Sequence, residues 1–96
     1  MNRQEHLLTI LAEECAEVAQ RASKALRFGL GEVQPGQSLT NAERIVGELT
    51  DLFSVVSMLV DEEHINLCGS AAAEQAKRAK VEKFLQLSEQ LGTLTK

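Results

Sequence analysis

Two pairs of acidic residues have the spacing that places both carboxylates of a pair on one side of a helix. Glu14 and Glu17 lie in the segment EECAE, and Glu48 and Asp51 lie in the segment ELTD. Residues three positions apart are neighbours on a helix surface. Carboxylate oxygens without His or Cys are the ligands that hard divalent cations such as Mg²⁺ and Mn²⁺ prefer. The spacing therefore indicates a candidate cation site built from two helices.

One of these glutamates interrupts the apolar stripe of its own helix. At about 100° per residue the stripe of the first helix consists of Leu7, Leu11, Val18 and Ala25. Glu14 falls between Leu11 and Val18, where a core residue would be expected. Glu48 lies about 40° from the centre of the apolar stripe of the second helix. If the two helices pack through these stripes, the carboxylate pairs converge.

Converging carboxylates repel one another, and burying each of them without a partner costs several kcal/mol. Three arrangements relieve this cost: basic partners, raised pKa values or a bound metal. Arg21, Lys24 and Arg44 lie on the same helices and are candidate partners. A bound Mg²⁺ would commonly bridge carboxylates to substrate phosphates. A single acidic pair at this spacing is also common on solvated helix faces, so the sequence leaves both interpretations open.

Three helices are predicted to position these residues. The first runs from about residue 4 to 27, where apolar positions recur at helical spacing without Gly or Pro. The second begins after Thr40, because Thr40 and Glu43 have the spacing of a capping box, and it runs to about residue 63. The third runs from about residue 70 to 91, and the tail 92–96 is expected to fray.

A flexible segment rich in Gly and Pro, residues 28–39, separates the first two helices. Connections this long in a small helical domain are often functional. The alternation of polar and apolar residues that is typical of strands is absent, so we expect an all-α fold in one domain, residues 1–96. The second helix is apolar on more than one side. We therefore expect a bundle of three main helices completed by homo-oligomerisation.

The bulk composition excludes several function classes. The net charge of −4 disfavours binding to nucleic acid or to an anionic membrane surface. No apolar run approaches the length of about 20 residues that spans a bilayer. The segment MNRQEH lacks the apolar core of a signal peptide, so the expected compartment is the cytoplasm. Cys15 and Cys68 lie outside any CxxC motif and are expected to be free, buried thiols.

The order of the motifs resembles the MazG-like all-α nucleoside triphosphate pyrophosphohydrolases, especially their small phage and bacterial members. The resemblance rests on EECAEVAQRASKALRFG, on ELTD with its apolar continuation, and on the basic third helix KRAKVEKFLQLSEQLG. It covers about residues 7 to 92. One departure is the segment between Glu17 and Glu48, which is longer than in compact members and bears on the pocket for the base.

The resemblance implies Mg²⁺-dependent hydrolysis of a (deoxy)nucleoside triphosphate to the monophosphate and pyrophosphate, for nucleotide pool control or house-cleaning. It also implies a homodimer or a dimer of dimers whose sites use helices from more than one subunit. The catalytic metal ligands would be Glu14, Glu17, Glu48 and Asp51. One of these glutamates, or the adjacent Glu13, would act as general base.

The phosphates of such a substrate also need cationic partners. Lys77 and Lys80 share a side of the third helix and are the leading candidates for triphosphate contact, with Lys24 next. For each lysine a solvated basic face is the alternative. Two other functions stay open for the chain as a whole: a catalytically silent helical dimer that acts as an interaction or regulatory module, and a phosphoribosyl-ATP pyrophosphohydrolase.

Overall fold

A computed structural model describes residues 1–67 and 69–95 of the chain. Its helices are α1 (Arg3–Phe28), α2 (Asn41–Asp61) and α3 (Ala71–Gln90). Over the described residues there is no β-strand, although Val33 and Thr40 form an isolated antiparallel bridge. The all-α prediction is confirmed, and each helix boundary agrees with its predicted position to within two residues.

Side chains cap the N-terminus of each helix. The predicted capping box of α2 is present: the Thr40 hydroxyl accepts a hydrogen bond from the Glu43 backbone N–H at 3.1 Å, and Glu43 Oε1 accepts one from the Thr40 backbone N–H at 3.0 Å. Asn2 caps α1 through Oδ1, and Ser70 caps α3 through its hydroxyl. These bonds satisfy backbone donors that the first helical turn leaves unpaired, so they fix where each helix begins.

The chain divides into two compact units. Met1–Asn66 contains α1, α2 and the segment between them, and Leu67–Lys96 contains α3. All the candidate acidic residues therefore lie in the first unit, whereas Lys77 and Lys80 lie in the second. The single domain over residues 1–96 and the frayed tail stay predictions. Within the second unit, the backbone N–H groups of Thr93 and Leu94 both donate to the Ser88 carbonyl.

In the first unit, α1 and α2 pack as an antiparallel pair. The core consists of Leu7, Val55 and Leu59, and Leu11 packs against it. At the same end of the pair, the Arg3 guanidinium donates two hydrogen bonds to the Glu62 carboxylate, at 2.8 and 3.0 Å. The start of α1 is thereby joined to Glu62, the residue that follows α2.

Because the core of the first unit is small, Leu59, which is fully buried, should contribute strongly to its stability. We expect Leu59→Ala to lower the free energy of unfolding by about 3 kcal/mol, through lost burial and the cavity left behind. The volume-conserving Leu59→Met should cost less than about 1.5 kcal/mol. Urea denaturation followed by circular dichroism measures both. If both variants lowered the free energy of unfolding equally, the volume of the side chain at position 59 would not determine stability.

Much of the apolar surface of α2 is exposed. The exposed fraction is 62% for Val46, 63% for Phe53 and 40% for Met58. α2 therefore carries apolar side chains outside the face that packs on α1, as the sequence predicted. None of the described helices is long and apolar enough to cross a membrane.

The burial predicted for the cysteines is wrong for Cys15, which is a free but exposed thiol. Cys15 follows Glu14 by about 100° around α1, which turns its side chain away from the stripe that packs on α2. Cys68 lies outside the described residues.

Candidate functional site

Five residues with polar or aromatic side chains follow one another along one side of α1. They are separated by three or four positions, so they share a face of the helix. In chain order they are Glu14, Glu17, Arg21, Lys24 and Phe28. The face thus runs from two acids through two bases to an aromatic ring.

Three carboxylates meet between α1 and α2. One carboxylate oxygen from each of Glu14, Glu17 and Glu48 lies within 4.8 Å of the other two. Glu14 and Glu48 are half-buried, and Glu17 is exposed. We call these three residues the carboxylate cluster. The predicted convergence of the two acidic pairs is therefore present for three of the four residues.

The cluster has a basic neighbour but remains short of hydrogen-bond partners. Arg21 Nε lies 3.7 Å from Glu48 Oε1, and only 16% and 19% of the two side chains are exposed. Arg21 was one of the three cations predicted to pair with the acids. Three buried atoms have no hydrogen-bond partner in the described part of the chain: Glu14 Oε2, Glu48 Oε2 and Arg21 Nη1. Buried polar atoms without partners are costly, and such atoms often mark the place of an ion or a ligand.

The pKa of the Glu48 carboxyl is raised above the ordinary value of a glutamate. The largest cause is a hydrogen bond with the Glu17 side chain, followed by desolvation and by the negative charges of Glu17 and Asp51; Arg21 opposes the shift. Two carboxyl groups form a hydrogen bond only when one of them is protonated. Two of the three predicted ways of relieving the repulsion, a basic partner and a raised pKa, are thus present together.

Asp51 lies beside the cluster without joining it. Its side chain is exposed, and it does not belong to the group of converging oxygens among the described residues. A residue three positions after Glu48 is displaced by about 4.5 Å along the helix. An aspartate also has one methylene fewer with which to reach back. Asp51 instead lies at the next turn, where its charge acts on Glu48.

A groove next to the cluster combines acidic and basic side chains. It has a volume of about 280 Å³, and its lining residues are Arg21, Leu39, Glu43, Arg44, Gly47, Glu48 and Asp51. Arg44, another of the predicted partners, donates from Nη1 to Gln34 Oε1 at 3.0 Å. The groove therefore places two guanidinium groups near the acids Glu48 and Asp51.

The three predicted phosphate-binding lysines occupy different places. Lys24 is half-buried and lines a second cavity at the end of α1. Lys77 and Lys80 are exposed on α3, in the second unit. Their contact with a phosphate chain stays a prediction.

The second cavity is formed by the end of α1, the connecting segment and the start of α2. It has a volume of about 190 Å³, and its lining residues are Lys24, Phe28, Glu32, Gln34, Pro35 and Asn41. We call it the loop cavity. Phe28, Glu32, Gln34 and Pro35 belong to the segment 28–39, which was predicted to bear on the pocket for the base, but of the lining residues only Lys24 was predicted individually. The sequence signal that could have indicated this cavity is the regular spacing of three or four residues that continues from Glu14 to Phe28 on one face of α1.

The fold and the site thus define an all-α protein in which an antiparallel helical pair carries a cluster of three carboxylates. No protein-family model matches the chain, and no curated protein or solved structure matches it significantly. The resemblance to MazG-like enzymes accordingly stays a prediction from the sequence motifs.

Proposed function

We propose that the protein is a MazG-like pyrophosphohydrolase that binds Mg²⁺, or Mn²⁺, at the carboxylate cluster. It hydrolyses a (deoxy)nucleoside triphosphate to the monophosphate and pyrophosphate. The observation that carries the proposal is the convergence of Glu14, Glu17 and Glu48, with two buried carboxylate oxygens that lack a protein partner among the described residues. An oxygen-only donor set with free lone pairs fits a hard divalent cation.

The acidic residues have two tasks in this proposal, which are to hold the cation and to accept a proton. Glu14, Glu17 and Glu48 hold the cation directly, and Asp51 supplies a further carboxylate from the next turn of α2. The bound cation supplies charge neutralisation of phosphate oxygens and a lowered pKa for a water molecule. Glu17, whose side chain is exposed, or the neighbouring Glu13 accepts the proton of the attacking water.

The basic residues position the other partners of the reaction. Arg21 orients Glu48 through their ion pair, and its buried Nη1, which lacks a partner among the described residues, donates to a phosphate oxygen once the phosphate chain reaches the cluster. A guanidinium is well suited to this because its donors form a fixed planar fork. Lys24 binds the phosphate chain from two turns further along α1. Lys77 and Lys80 are the proposed triphosphate contacts on α3.

The proposal includes a homo-oligomer that acts in the cytoplasm on the nucleotide pool. The exposed Val46, Phe53 and Met58 of α2 support self-association, since burial of such side chains stabilises a helical bundle. The same surface also favours a second candidate, a silent helical dimer that serves as an interaction module. The two candidates differ in their response to metal and nucleotide.

Two measurements on the wild-type protein separate these candidates. The first is the melting temperature with and without Mg²⁺ or Mn²⁺, because a ligand that binds the folded state raises Tm by mass action. The second is pyrophosphate release from a panel of the canonical nucleoside and deoxynucleoside triphosphates. The enzyme is expected to show both a metal-dependent rise in Tm and metal-dependent release. Absence of both would favour the interaction module.

Metal binding is also expected to depend on pH, because a cation competes with a proton for the Glu48 carboxylate, whose pKa is raised. The raised pKa of Glu48 means that affinity for Mn²⁺ increases as pH rises above the ordinary range of a glutamate. Calorimetric titrations of Mn²⁺ in PIPES and in Tris, matched in pH, detect the released protons as a difference in heat. Equal heats and a flat pH profile would contradict the release of a proton from Glu48 when the cation binds.

A further inference from the structure

One wall of the loop cavity is polar and is held together by hydrogen bonds from Asn41. Asn41 is only 3% exposed, and its Nδ2 donates to the Gly29 carbonyl at 2.8 Å and to Glu32 Oε1 at 3.3 Å. Its backbone N–H donates to the Glu32 carbonyl at 3.0 Å. Both side-chain bonds of Asn41 leave from Nδ2, so they do not occupy Oδ1. Among the groups of this wall, Asn41 Oδ1 and the Glu32 carboxylate are therefore the candidate acceptors for a ligand.

The other side chains that line the cavity are either apolar rings or hydrogen-bond donors. Phe28 is about half exposed, and Pro35 adds a second apolar ring. Gln34 accepts from Arg44 through Oε1, which does not engage its Nε2 donor. A planar ring can stack on an aromatic side chain, and polar groups at its edge can then bond to fixed partners. The cavity thus fits a flat nitrogen heterocycle.

The cavity and the carboxylate cluster lie along the same face of α1. Lys24 follows Glu17 by seven residues, which corresponds to about 10 Å along the helix, and Phe28 lies one further turn away. Lys24 therefore lies between the acids and the aromatic ring. This order matches a ligand with a flat ring at one end and a chain of phosphates at the other.

We infer that the loop cavity binds the base of the nucleotide and selects a base with an exocyclic amino group, such as cytosine or adenine. This inference rests on the proposed function. The base stacks on Phe28 and donates from its amino group to Glu32 and to Asn41 Oδ1. Uracil and thymine present a carbonyl oxygen at the corresponding edge, where two acceptors repel it.

The test compares binding of the α,β-imido analogues of dCTP and dUTP, which resist cleavage at the scissile bond, by calorimetry with Mn²⁺. Wild type is expected to bind the dCTP analogue about tenfold more tightly than the dUTP analogue. Phe28→Ala should weaken binding of the dCTP analogue about tenfold. Leu26→Ala is the matched control, because Leu26 is 88% exposed on the same helix and does not line the cavity.

A second variant tests the acceptor wall without removing its hydrogen bonds. In Glu32→Gln the side-chain oxygen still accepts from Asn41, whereas the added amide donor complements a carbonyl. We expect the preference between the two analogues to shrink to within about twofold. Equal affinity of wild type for both analogues, or a Phe28→Ala protein that binds like Leu26→Ala, would overturn the inference.

Mn²⁺ alone and deoxycytidine alone separate this inference from the proposed function. Deoxycytidine carries no phosphate, so NMR shifts at Phe28 and Asn41 report on the loop cavity independently of the cluster. Metal binding without any effect of base identity would overturn the base site and leave the carboxylate cluster as a cation site. Deoxycytidine binding without Mn²⁺ binding would support the cavity and reject the proposed hydrolase.

Discussion

The Glu48→Gln protein is expected to lose pyrophosphate release by roughly 10²- to 10³-fold, the loss typical when a group that stabilises reacting charge is removed. Glu48 is one of the three converging carboxylates, and its buried Oε2 has no partner within the described residues. An amide at this position has a single oxygen and no negative charge, so it is a poor ligand for Mg²⁺. The rise of Tm with Mg²⁺ should shrink in parallel.

The same substitution is expected to stabilise the metal-free protein at neutral pH. Because the pKa of Glu48 is raised in the folded state, ionising it costs stability, and this cost grows as pH rises from the ordinary value of a glutamate through the raised one. The substituted amide is never ionised, and it can donate a hydrogen bond to Glu17. We therefore expect a rise in Tm of roughly 2–5 °C above that range and a much smaller rise at acidic pH.

Glu5→Gln is the matched control for this experiment. Glu5 is exposed near the start of α1 and lies outside the carboxylate cluster, so the change removes one negative charge of the protein without touching the site. Activity and the metal response should remain those of wild type. A Glu48→Gln protein with undiminished activity would remove Glu48 from the proposed metal site.

The positions of the helices followed from local rules, which is why they could be predicted. The capping box of Thr40 and Glu43 involves residues three apart, and the break after α1 follows from Gly29, whose φ of 96° lies in the left-handed region. The placement of Glu14 in the apolar stripe predicted that it would face α2. Such features depend only on neighbours along one helix.

Features that join distant segments could not be read from periodicity. The loop cavity depends on backbone bonds from Asn41 to Glu32 and from Ala42 to Leu30, which hold the connecting segment against the start of α2. The position of Asp51 outside the cluster depends on side-chain reach rather than on helical spacing. Both depend on the register of α1 against α2, which involves residues far apart in the sequence, such as Arg3 with Glu62 and Leu7 with Leu59.

Helical spacing predicts which residues of α2 share an apolar stripe, but it does not predict how deeply each of them is buried. Of the apolar residues that follow one another at helical spacing on α2, Ile45, Leu49, Leu52 and Val56 are half-buried, whereas Leu59 is fully buried. A single partner helix covers only one strip of α2, so a stripe defined by sequence can be wider than the core that forms within one unit. The extra width is the part of the pattern that the proposed oligomer would explain.

Arg21→Met is expected to make the fold of the first unit depend more strongly on metal. Arg21 lies 3.7 Å from Glu48 and opposes the raised pKa of that carboxyl, so it acts as a fixed counter-charge within the cluster. Methionine keeps an unbranched stem and a similar helix propensity but leaves the acids uncompensated. We expect the Tm without metal to fall by roughly 5 °C and the rise caused by saturating Mg²⁺ to become larger than in wild type.

Two further variants decide whether this effect belongs to the cluster. Arg78→Met breaks an exposed Arg–Glu pair on α3, whose side chains are 78% and 67% exposed, and should leave Tm and the metal response nearly unchanged. In the double variant Arg21→Met with Glu48→Gln, the loss of Tm should largely disappear, because the charge that Arg21 compensates is gone. Additive effects of the two substitutions would show that Arg21 stabilises α1 by packing alone and that its ion pair with Glu48 contributes nothing to stability.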